Sequence, residues 1–491
     1  MKNFTKKVLL GGALMLAAAP SFAQFTLDGE LRPRFEYRNG YKSVADSNQT
    51  GAAFVQQRTR LNFGYKTEGY IFKLTLQDVR VWGSQPQLVG TYSKVNTSGS
   101  YFGVHEAWGE ALLSKAWSLK FGRQEIILDN HRIFGSVGWA QQARSHDAAI
   151  LKYKKDKLKF QLAAAYNQDK AGLTNRDAQF GSYKAFQYLW AHYDVSKDFG
   201  ASVLFLNNGK EQLDSSRFSG QAVTAYYKDN YSQTYGTRLT YKKNKLSVAG
   251  SFYFTGGMDA NRNVEYKDDK KIAAMNYSID VSYKITDKFT AAVGYEYLSG
   301  QSQTDTTASY LETNHAFNPF YGTNHKFNGY MDYFYVGNHG GSVGLNDIYL
   351  KGKFKSDKFW VGADVHLFSA ANDVWDGFKY NTDLTEATTN GTAADVTAVK
   401  DEKYTGYTMD ANFGTEIDVT FGFKLSKGVD FKAGYSMMLA TETLAYVKGT
   451  TDYQGQGYTD ATSSWGWAMI TIKPQFISAK KKEEKKEITN K

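Results

Sequence analysis

Residues 25–37, FTLDGELRPRFEY, alternate strictly between two kinds of side chain. The first kind is apolar or small and holds every second position: Phe25, Leu27, Gly29, Leu31, Pro33, Phe35 and Tyr37. The second kind is polar and mostly charged: Thr26, Asp28, Glu30, Arg32, Arg34 and Glu36. Successive side chains of a β-strand point to opposite faces. The stretch therefore predicts a strand with one apolar face and one charged face.

The same alternation recurs along the chain in stretches of about 11 residues, a length that suits a tilted span of a bilayer. We predict eighteen strands, at 25–37, 53–66, 70–82, 102–114, 116–125, 145–154, 157–167, 184–195, 198–207, 232–242, 245–255, 272–284, 288–298, 344–355, 358–369, 412–424, 428–440 and 464–476. Breaks of a few residues, such as Lys155-Asp156 and Ser426-Lys427, alternate with much longer polar loops. Tight turns at one end and long loops at the other are typical of outer-membrane barrels.

These patterns predict an all-β fold, a transmembrane up-and-down antiparallel β-barrel of eighteen strands with short periplasmic turns and long extracellular loops. A charge facing lipid at mid-membrane costs about 2–4 kcal/mol, so the apolar faces should point outward and the charged faces into the lumen. A soluble β-sandwich is the alternative, but its strands average about 5–6 residues. The 15% aromatic content and the lack of cysteine argue against a disordered or disulfide-rich protein.

The chain divides into three predicted parts. Residues 1–23 have the form of a secretory signal, with early lysines, an apolar run over 8–19 and a small-x-small cleavage site ending at Ala23. A membrane anchor helix is the alternative, but the apolar run is too short for a span of about 20 residues. Residues 24–477 form the predicted barrel, expected in the outer membrane of a Gram-negative bacterium. Residues 478–491 form a Lys/Glu-rich tail, expected to be disordered in the periplasm or to contact a periplasmic or envelope partner.

Basic residues concentrate in the first third of the chain, on the predicted lumen face or near the outer strand ends. The predicted pore-lining basic residues are Arg32, Arg34, Arg58, Arg60, Lys73, Lys120, Arg123, Arg132 and Arg144. Their predicted acidic partners are Glu30, Glu36, Glu106, Glu110 and Asp147. Interleaved Arg and Glu can fix each other in place, and surplus arginine would then favour anions in the passage. The alternative is that these charges only solvate the wall.

Catalytic and cofactor motifs are absent from the sequence, so we expect neither an enzyme nor a bound cofactor. Ser145-His146-Asp147 contains triad residue types, but neighbours on a strand point to opposite faces. The acidic loop 370–411 can hold Ca²⁺ in principle, although no ligand spacing is evident, and a solvated loop is the alternative. The net charge is +10, but the basic residues form no dense face, so nucleic acid is not an expected partner.

Seven segments carry a family resemblance: 31–36 (LRPRFE), 57–61 (QRTRL), 77–83 (QDVRVWG), 105–108 (HEAW), 121–124 (FGRQ), 139–147 (WAQQARSHD) and 317–332 (FNPFYGTNHKFNGYMD). In these segments the chain resembles the alginate export family of outer-membrane channels. The resemblance implies an eighteen-stranded barrel with an arginine-lined, anion-selective constriction, and the type member exports an acidic polysaccharide. It also implies that Arg58, Arg60, Arg123 and Arg144 lie in the constriction or line it.

The loop over residues 299–343 is among the longest and is rich in Asn, Gly and aromatic residues. A polar loop with many aromatics is expected to pack against the protein rather than extend into solvent. We therefore predict that this loop enters or covers the pore mouth. Its candidate gate residues lie in the last family segment: Phe317, Tyr321, His325 and Asp332.

Together these features predict a passive outer-membrane channel with anion preference, which passes acidic saccharides or polysaccharide, or small anionic solutes. Polysaccharide export follows from the resemblance, whereas nutrient uptake through a general porin follows from composition. A barrel that does not transport, and acts as an envelope scaffold, is a third alternative. The expected partners are outer-membrane lipids, lipopolysaccharide and the anionic substrate.

Overall fold

A computed structural model describes residues 24–84, 100–168, 171, 183–213, 227–259, 270–335, 339, 342–452 and 455–478. The predicted signal at 1–23 and the predicted tail from 479 onward lie outside the described residues. Within the described ranges, no helix is both long and apolar enough to cross a membrane.

Eighteen strands of the described chain form one closed antiparallel barrel, which confirms the predicted fold class. The strands are β1 (Gln24–Asn39), β2 (Ala52–Lys66), β3 (Tyr70–Val81), β4 (Ser100–Leu112), β5 (Trp117–Gln124), β6 (His146–Lys155), β7 (Leu158–Tyr166), β8 (Ala185–Asp194), β9 (Phe199–Leu213), β10 (Tyr227–Lys243), β11 (Leu246–Gly257), β12 (Ala274–Lys284), β13 (Phe289–Leu298), β14 (Leu345–Lys355), β15 (Phe359–Ser369), β16 (Asn412–Ser426), β17 (Val429–Ala440) and β18 (Ser463–Ile472). Each strand pairs with the next, and β1 closes the barrel against β18. Beyond Pro474, the last strand resumes as Gln475–Ile477 and again pairs with β1.

The outer surface of the barrel carries the apolar parity of the strands. Phe35, Leu162, Val293 and Leu350 are exposed there, as a lipid-facing wall requires. The opposite parity holds buried polar groups such as Glu296. The alternation seen in the sequence therefore corresponds to the outside and the inside of the barrel.

The hairpin of β9 and β10 extends further than the alternation predicts. The predicted strands ended at 207 and began at 232, whereas the ladder continues until Leu213 lies opposite Tyr227. The added residues are largely polar, so no apolar face marks them in the sequence. The wall is taller here than at β5–β8, where the strands have 8 to 10 residues.

The main hydrophobic core lies inside the barrel, at the end that carries the long loops. Inward side chains of the strands meet residues of the loops there: Phe134, Phe186, Leu206, Tyr321, Met331, Phe334, Phe368, Phe413, Leu444 and Trp465. Two long loops fold into the lumen, and we call residues 125–145 the first inward loop and the described residues of 299–344 the second inward loop. A barrel of this size can leave an open aqueous channel, but these loops fill much of the upper lumen.

In the part of the chain that the structure describes, four α-helices lie in the long loops: α1 (Ala308–Leu311), α2 (Gly377–Asn390), α3 (Ala393–Asp401) and α4 (Glu442–Val447). Helices α2 and α3 lie within the acidic loop over 370–411. Asp376 caps α2 by accepting the Lys379 N–H at 2.9 Å, and Asp395 completes a capping box with Thr392 in α3. Two of the acidic residues in this loop, Asp376 and Asp395, therefore stabilise the N-termini of helices. Among the described residues, no group of three or more His, Cys, Asp or Glu is placed to hold a metal ion.

Candidate functional site

Three arginines of β1 and β2 fasten the first inward loop to the barrel, and we call Arg32, Arg34 and Arg58 the arginine wall. Arg32 donates to the Trp139 carbonyl at 3.2 Å and to the Gln141 side chain at 2.9 Å. Arg34 donates to the Trp139 carbonyl at 2.7 Å, and Arg58 to the Gln141 carbonyl at 3.3 Å. The three residues are 7%, 2% and 4% exposed, so they lie beneath the loop rather than on an open pore surface.

Two glutamates of β1 form ion pairs with two of the three residues of the arginine wall. Glu30 forms an ion pair with Arg58 at 2.6 Å, and Glu36 forms one with Arg34 at 2.7 Å. Glu36 also accepts the indole N–H of Trp465, from the closing strand, at 3.0 Å. The guanidinium groups of these arginines are therefore bonded to carbonyl and carboxylate oxygens. This differs from the expectation that surplus arginine faces the passage, because the loop itself supplies the acceptors.

Two further ion pairs lie on the inner faces of β3, β4 and β6. Lys73 forms an ion pair with Glu106, and Lys152 forms one with Glu110 at 3.1 Å. The Lys73 and Lys152 side chains remain partly exposed to the lumen. Within each of these two pairs the positive and the negative charge offset each other.

Arg60 and Lys120 also project inward from this side of the barrel. Arg60 donates to the Gln77 side chain at 2.7 Å. The Lys120 ammonium lies 3.9 Å from the centroid of the Trp108 ring, a cation–π contact. Pore lining by these two residues stays a prediction.

Arg123 and Asp147 lie on the outside of the barrel, which corrects their prediction as lumen residues. They face each other across β5 and β6 and are joined by two hydrogen bonds of 2.9 and 2.7 Å. Arg123 has the parity of Phe121, and Asp147 has the parity of Ala149, both of which are exposed outward. The side chains of the pair are 42% and 52% exposed. Placing Arg123 in a constriction, as the resemblance implied, is therefore wrong.

The second inward loop packs on the first through backbone hydrogen bonds. The Gly135 N–H donates to the Tyr321 carbonyl at 2.9 Å, and the Tyr321 N–H donates to the Ile133 carbonyl at 3.1 Å. This short ladder makes the two inward loops one unit within the lumen.

Two predicted lining residues strengthen that unit. Arg132 is buried and donates to the Glu296 carboxylate of β13 at 2.8 Å and to the Asn328 side chain at 3.1 Å. Arg144 donates to the Gly322 carbonyl at 3.4 Å. Arg132 thus ties both loops to the wall, and Arg144 ties one loop to the other.

The four predicted gate residues are buried among these contacts. Phe317 and Tyr321 belong to the core inside the barrel. The His325 ring stacks on Trp139 with centroids 4.6 Å apart and bonds the Asp332 carboxylate at 2.9 Å. Burial raises the pKa of Asp332, but the His325 imidazole, the Tyr41 hydroxyl and the Lys42 ammonium together outweigh burial and hold that pKa below its usual value. Gating by these residues stays a prediction, and any motion of them must break the contacts described.

A cavity of about 480 Å³ remains between the second inward loop and the strands β13–β18, and we call it the lysine cavity. Its charged lining is Lys326, Lys351, Lys353, Lys432 and Asp364. Its aromatic lining is Trp139, His325, Tyr330, Trp360 and Trp467. Lys351 pairs with Asp364 at 3.3 Å, which leaves three further lysines to set the sign of the local field.

Positive charge and aromatic faces occur side by side in the lysine cavity. The Lys353 ammonium lies 4.8 Å from the centroid of the Trp360 ring. Within the described chain, no carboxylate forms an ion pair with Lys353 or Lys432. Burial lowers the pKa of Lys326 from its usual value. A cavity of this size with a few convergent polar groups suits a small solute, and its charge suits an anion.

The lysine cavity was missed by sequence reasoning, which concentrated on the arginine-rich first third. Lys351 and Lys353 occupy the inward parity of β14, and Lys432 that of β17. The alternation that located Arg32 could have found these three. Lys326 lies in the second inward loop, where no alternation exists to assign its direction.

An eighteen-stranded barrel with an apolar outer face and loops folded into its lumen defines an outer-membrane channel rather than an enzyme. A family profile described as Gram-negative porin matches residues 12–323. The chain belongs to this Gram-negative porin family, and the match gives no support to the alginate export family suggested by the sequence segments.

Solved porins share the fold at low sequence identity. The structure of Acinetobacter baumannii OccAB4 has 10% identity and a TM-score of 0.56, over 93% of this chain and 99% of that one. Pseudomonas aeruginosa OpdK, solved with vanillate, has 11% identity and a TM-score of 0.55, over 92% and 99%. A BenF-like porin from Pseudomonas fluorescens Pf-5 has 12% identity and a TM-score of 0.55, over 92% and 98%. No curated protein matches the chain significantly.

Proposed function

We propose that this porin is a passive channel with a preference for small organic anions. The lysine cavity is the observation that supports the proposal, because four lysines and one aspartate supply its charged lining. The inward loops narrow the upper lumen, so a solute that crosses beside them meets these lysines. Rings of lysine or arginine side chains around a pore favour the passage of anions.

The aromatic side chains support a narrower class, namely anions that carry a planar ring. Trp360 and Trp467 offer ring faces beside the ammonium groups of the cavity. Ring pairs contribute about 0.5–1.5 kcal/mol beyond the area they bury. OpdK was solved with vanillate, an aromatic carboxylate, which suggests suitable probes for this chain.

Acidic saccharides are a second candidate class, favoured by the seven segments that resemble the alginate export family. A cavity of about 480 Å³ has room for a small saccharide. A long polysaccharide needs a continuous groove, and the two inward loops interrupt the upper lumen. The geometry thus favours small anions over a polymer.

The experiment is a planar-bilayer recording of the purified protein in a KCl gradient. We expect a stable conductance and a reversal potential whose sign shows that Cl⁻ is more permeable than K⁺. Added benzoate should reduce the KCl current at lower concentration than acetate, and benzyl alcohol should have little effect, because the ring and the charge act together. Short acidic oligosaccharides test the second class in the same way.

Each contrary result points to a different function. A reversal potential near zero, with no block by benzoate, would identify a general porin without preference. A folded barrel that carries no current would support a scaffold in the envelope. Stronger block by acidic oligosaccharides than by benzoate would favour the saccharide class.

A further inference from the structure

Two carboxyl groups lie side by side on the inner face of β16, and neither forms an ion pair within the described part of the chain. Glu416 and Asp418 are two residues apart, so both point inward, and they are 0% and 1% exposed. One Glu416 oxygen accepts the Met331 N–H of the second inward loop at 2.8 Å. The other Glu416 oxygen and both Asp418 oxygens are buried and form no hydrogen bond of ordinary geometry with the described residues, although the Ser436 hydroxyl lies close to Asp418.

Charged neighbours on the adjoining strands are already engaged. His366 lies opposite Glu416 on β15 but bonds Asp347 at 2.9 Å. Asp364 lies opposite Asp418 but pairs with Lys351 at 3.3 Å. On β17, Ser436 and Met438 lie opposite the two carboxyls.

The second inward loop covers the pair from the lumen side with its tip, residues 328–331. Tyr330 and Tyr333 are the titratable groups of this loop that face the pair. Gly329 approaches so closely that a Cβ there would lie 2.5 Å from the Glu416 carboxyl, and its φ of +79° also requires glycine. The loop tip and the carboxyl pair therefore fit each other at contact distance.

Burial of two like charges without a counter-ion is unfavourable, and adjacent buried carboxylates do not both ionise readily. A single proton held between them removes one charge and supplies the missing donor. The Glu416 carboxyl can stay ionised, because the Met331 N–H donates to it. This arrangement satisfies both the burial and the loop contact.

We propose that Glu416 and Asp418 share one proton and act as positioning residues for the tip of the second inward loop. Loss of that proton at higher pH would place two negative charges beneath the tip and displace it from the wall. Tyr330 and Lys326 of this loop line the lysine cavity, so the cavity would change shape with pH. The effect on conduction rests on the proposed function, in which solutes pass through that cavity.

The test compares single-channel conductance between about pH 5 and about pH 9, a range in which buried carboxyls of other proteins lose their protons. We expect the wild type to change conductance by about twofold or more across this range, as the loop tip moves. The variants Asp418→Asn and Glu416→Gln should remove most of that change, because an amide donates as the shared proton does and cannot lose it at high pH.

Asp430→Asn is the matched control, because Asp430 is an inward but partly exposed carboxylate of β17 that lies outside the loop contact. It should keep the pH response of the wild type. A wild-type conductance that is flat with pH, or a response that survives in both isosteric variants, would overturn the proposal. A conductance that depends on Ca²⁺ and chelator instead of pH would mean that a bound cation bridges the pair, and would also overturn it.

Anion preference is measured separately, from the reversal potential at one fixed pH. A pH response without anion preference would refute the proposed function and keep the proton-holding pair. Anion preference without a pH response would do the reverse. Heat-dependent migration in gel electrophoresis confirms that each variant is a folded barrel before it is recorded.

Discussion

The arginine wall and the lysine cavity are both inward basic surfaces of one barrel, but they differ in what their charges contact. Arg32, Arg34 and Arg58 end on carbonyl oxygens of the first inward loop and on glutamates. Of the cavity lysines, Lys351 pairs with Asp364 and Lys326 donates to the Asn130 carbonyl, whereas Lys353 and Lys432 border open space with no carboxylate partner in the described chain. A guanidinium has five donors in a planar fork and can hold several carbonyls at once, whereas an ammonium is a compact charge that stays hydrated. A charged side chain that points into such a barrel therefore does not necessarily line the passage.

Removing the second inward loop should have the largest effect, because this loop separates the lysine cavity from the upper lumen. Deletion of residues 303–340 should raise single-channel conductance several-fold. Planar-bilayer recording of the refolded variant measures it. Unchanged conductance in a correctly folded barrel would mean that the loop does not lie on the conduction path.

Releasing the first inward loop should have the next largest effect. The double variant Arg32→Ser and Arg34→Ser removes hydrogen bonds to charged donors, each worth about 1.5–3 kcal/mol. We expect a higher and noisier conductance and a lower melting temperature. Arg80→Ser is the control, since Arg80 pairs with Asp78 on the outward parity of β3 and holds no loop. A loss of anion preference with steady conductance would show that these arginines line the passage after all.

Neutralising the lysine cavity should change selectivity and leave stability nearly intact. The double variant Lys353→Gln and Lys432→Gln should move the reversal potential toward zero and weaken block by benzoate. Melting should change little, because substitutions away from specific contacts usually alter stability by about 0.5 kcal/mol or less. Lys355→Gln, further along β14, serves as the charge-matched control. A larger shift in melting than in reversal potential would place these lysines in the class of the arginine wall.

A buried lysine outside both regions allows a test of a single titrating group, through the pH dependence of stability. Burial lowers the pKa of Lys448 to about 7, at the end of α4, where its ammonium bonds the Tyr333 carbonyl. An unfolded lysine has a pKa of about 10.4, so between these values the unfolded chain binds more protons and stability rises with pH. Lys448→Met should abolish that rise in a thermal melt measured from about pH 7 to about pH 10. A rise that persists in the variant would assign it to another group.

The strands were predictable because alternation is a local property of the sequence. The inward loops were only partly so. An aromatic-rich loop at 299–343 indicated packing, but the acceptors for Arg32 and Arg34 are backbone carbonyls near Trp139, and no side-chain pattern marks them. The full length of the β9–β10 hairpin was not predictable either, because backbone pairing extends it and no side-chain pattern marks the added residues.

Arg123 was misplaced even though the alternation of β5 already indicated its outward face. The resemblance in FGRQ outweighed that pattern. In β4, by contrast, alternation alone would mislead. A register shift beside Thr75 marks a bulge at His105 and Glu106, after which the inward parity changes. Local patterns thus fail where one residue is inserted into a strand.

Trp139 has a consequence for the order of assembly. It lies against Arg34 of β1, against His325 of the second inward loop, and against Trp465 and Trp467 of β18. Its binding surface is complete only when the last strand has met the first. An unclosed barrel would therefore be a wide and unselective opening, and narrowing should be among the last events of folding. Time-resolved indole fluorescence during refolding would show a late phase that Trp139→Phe removes.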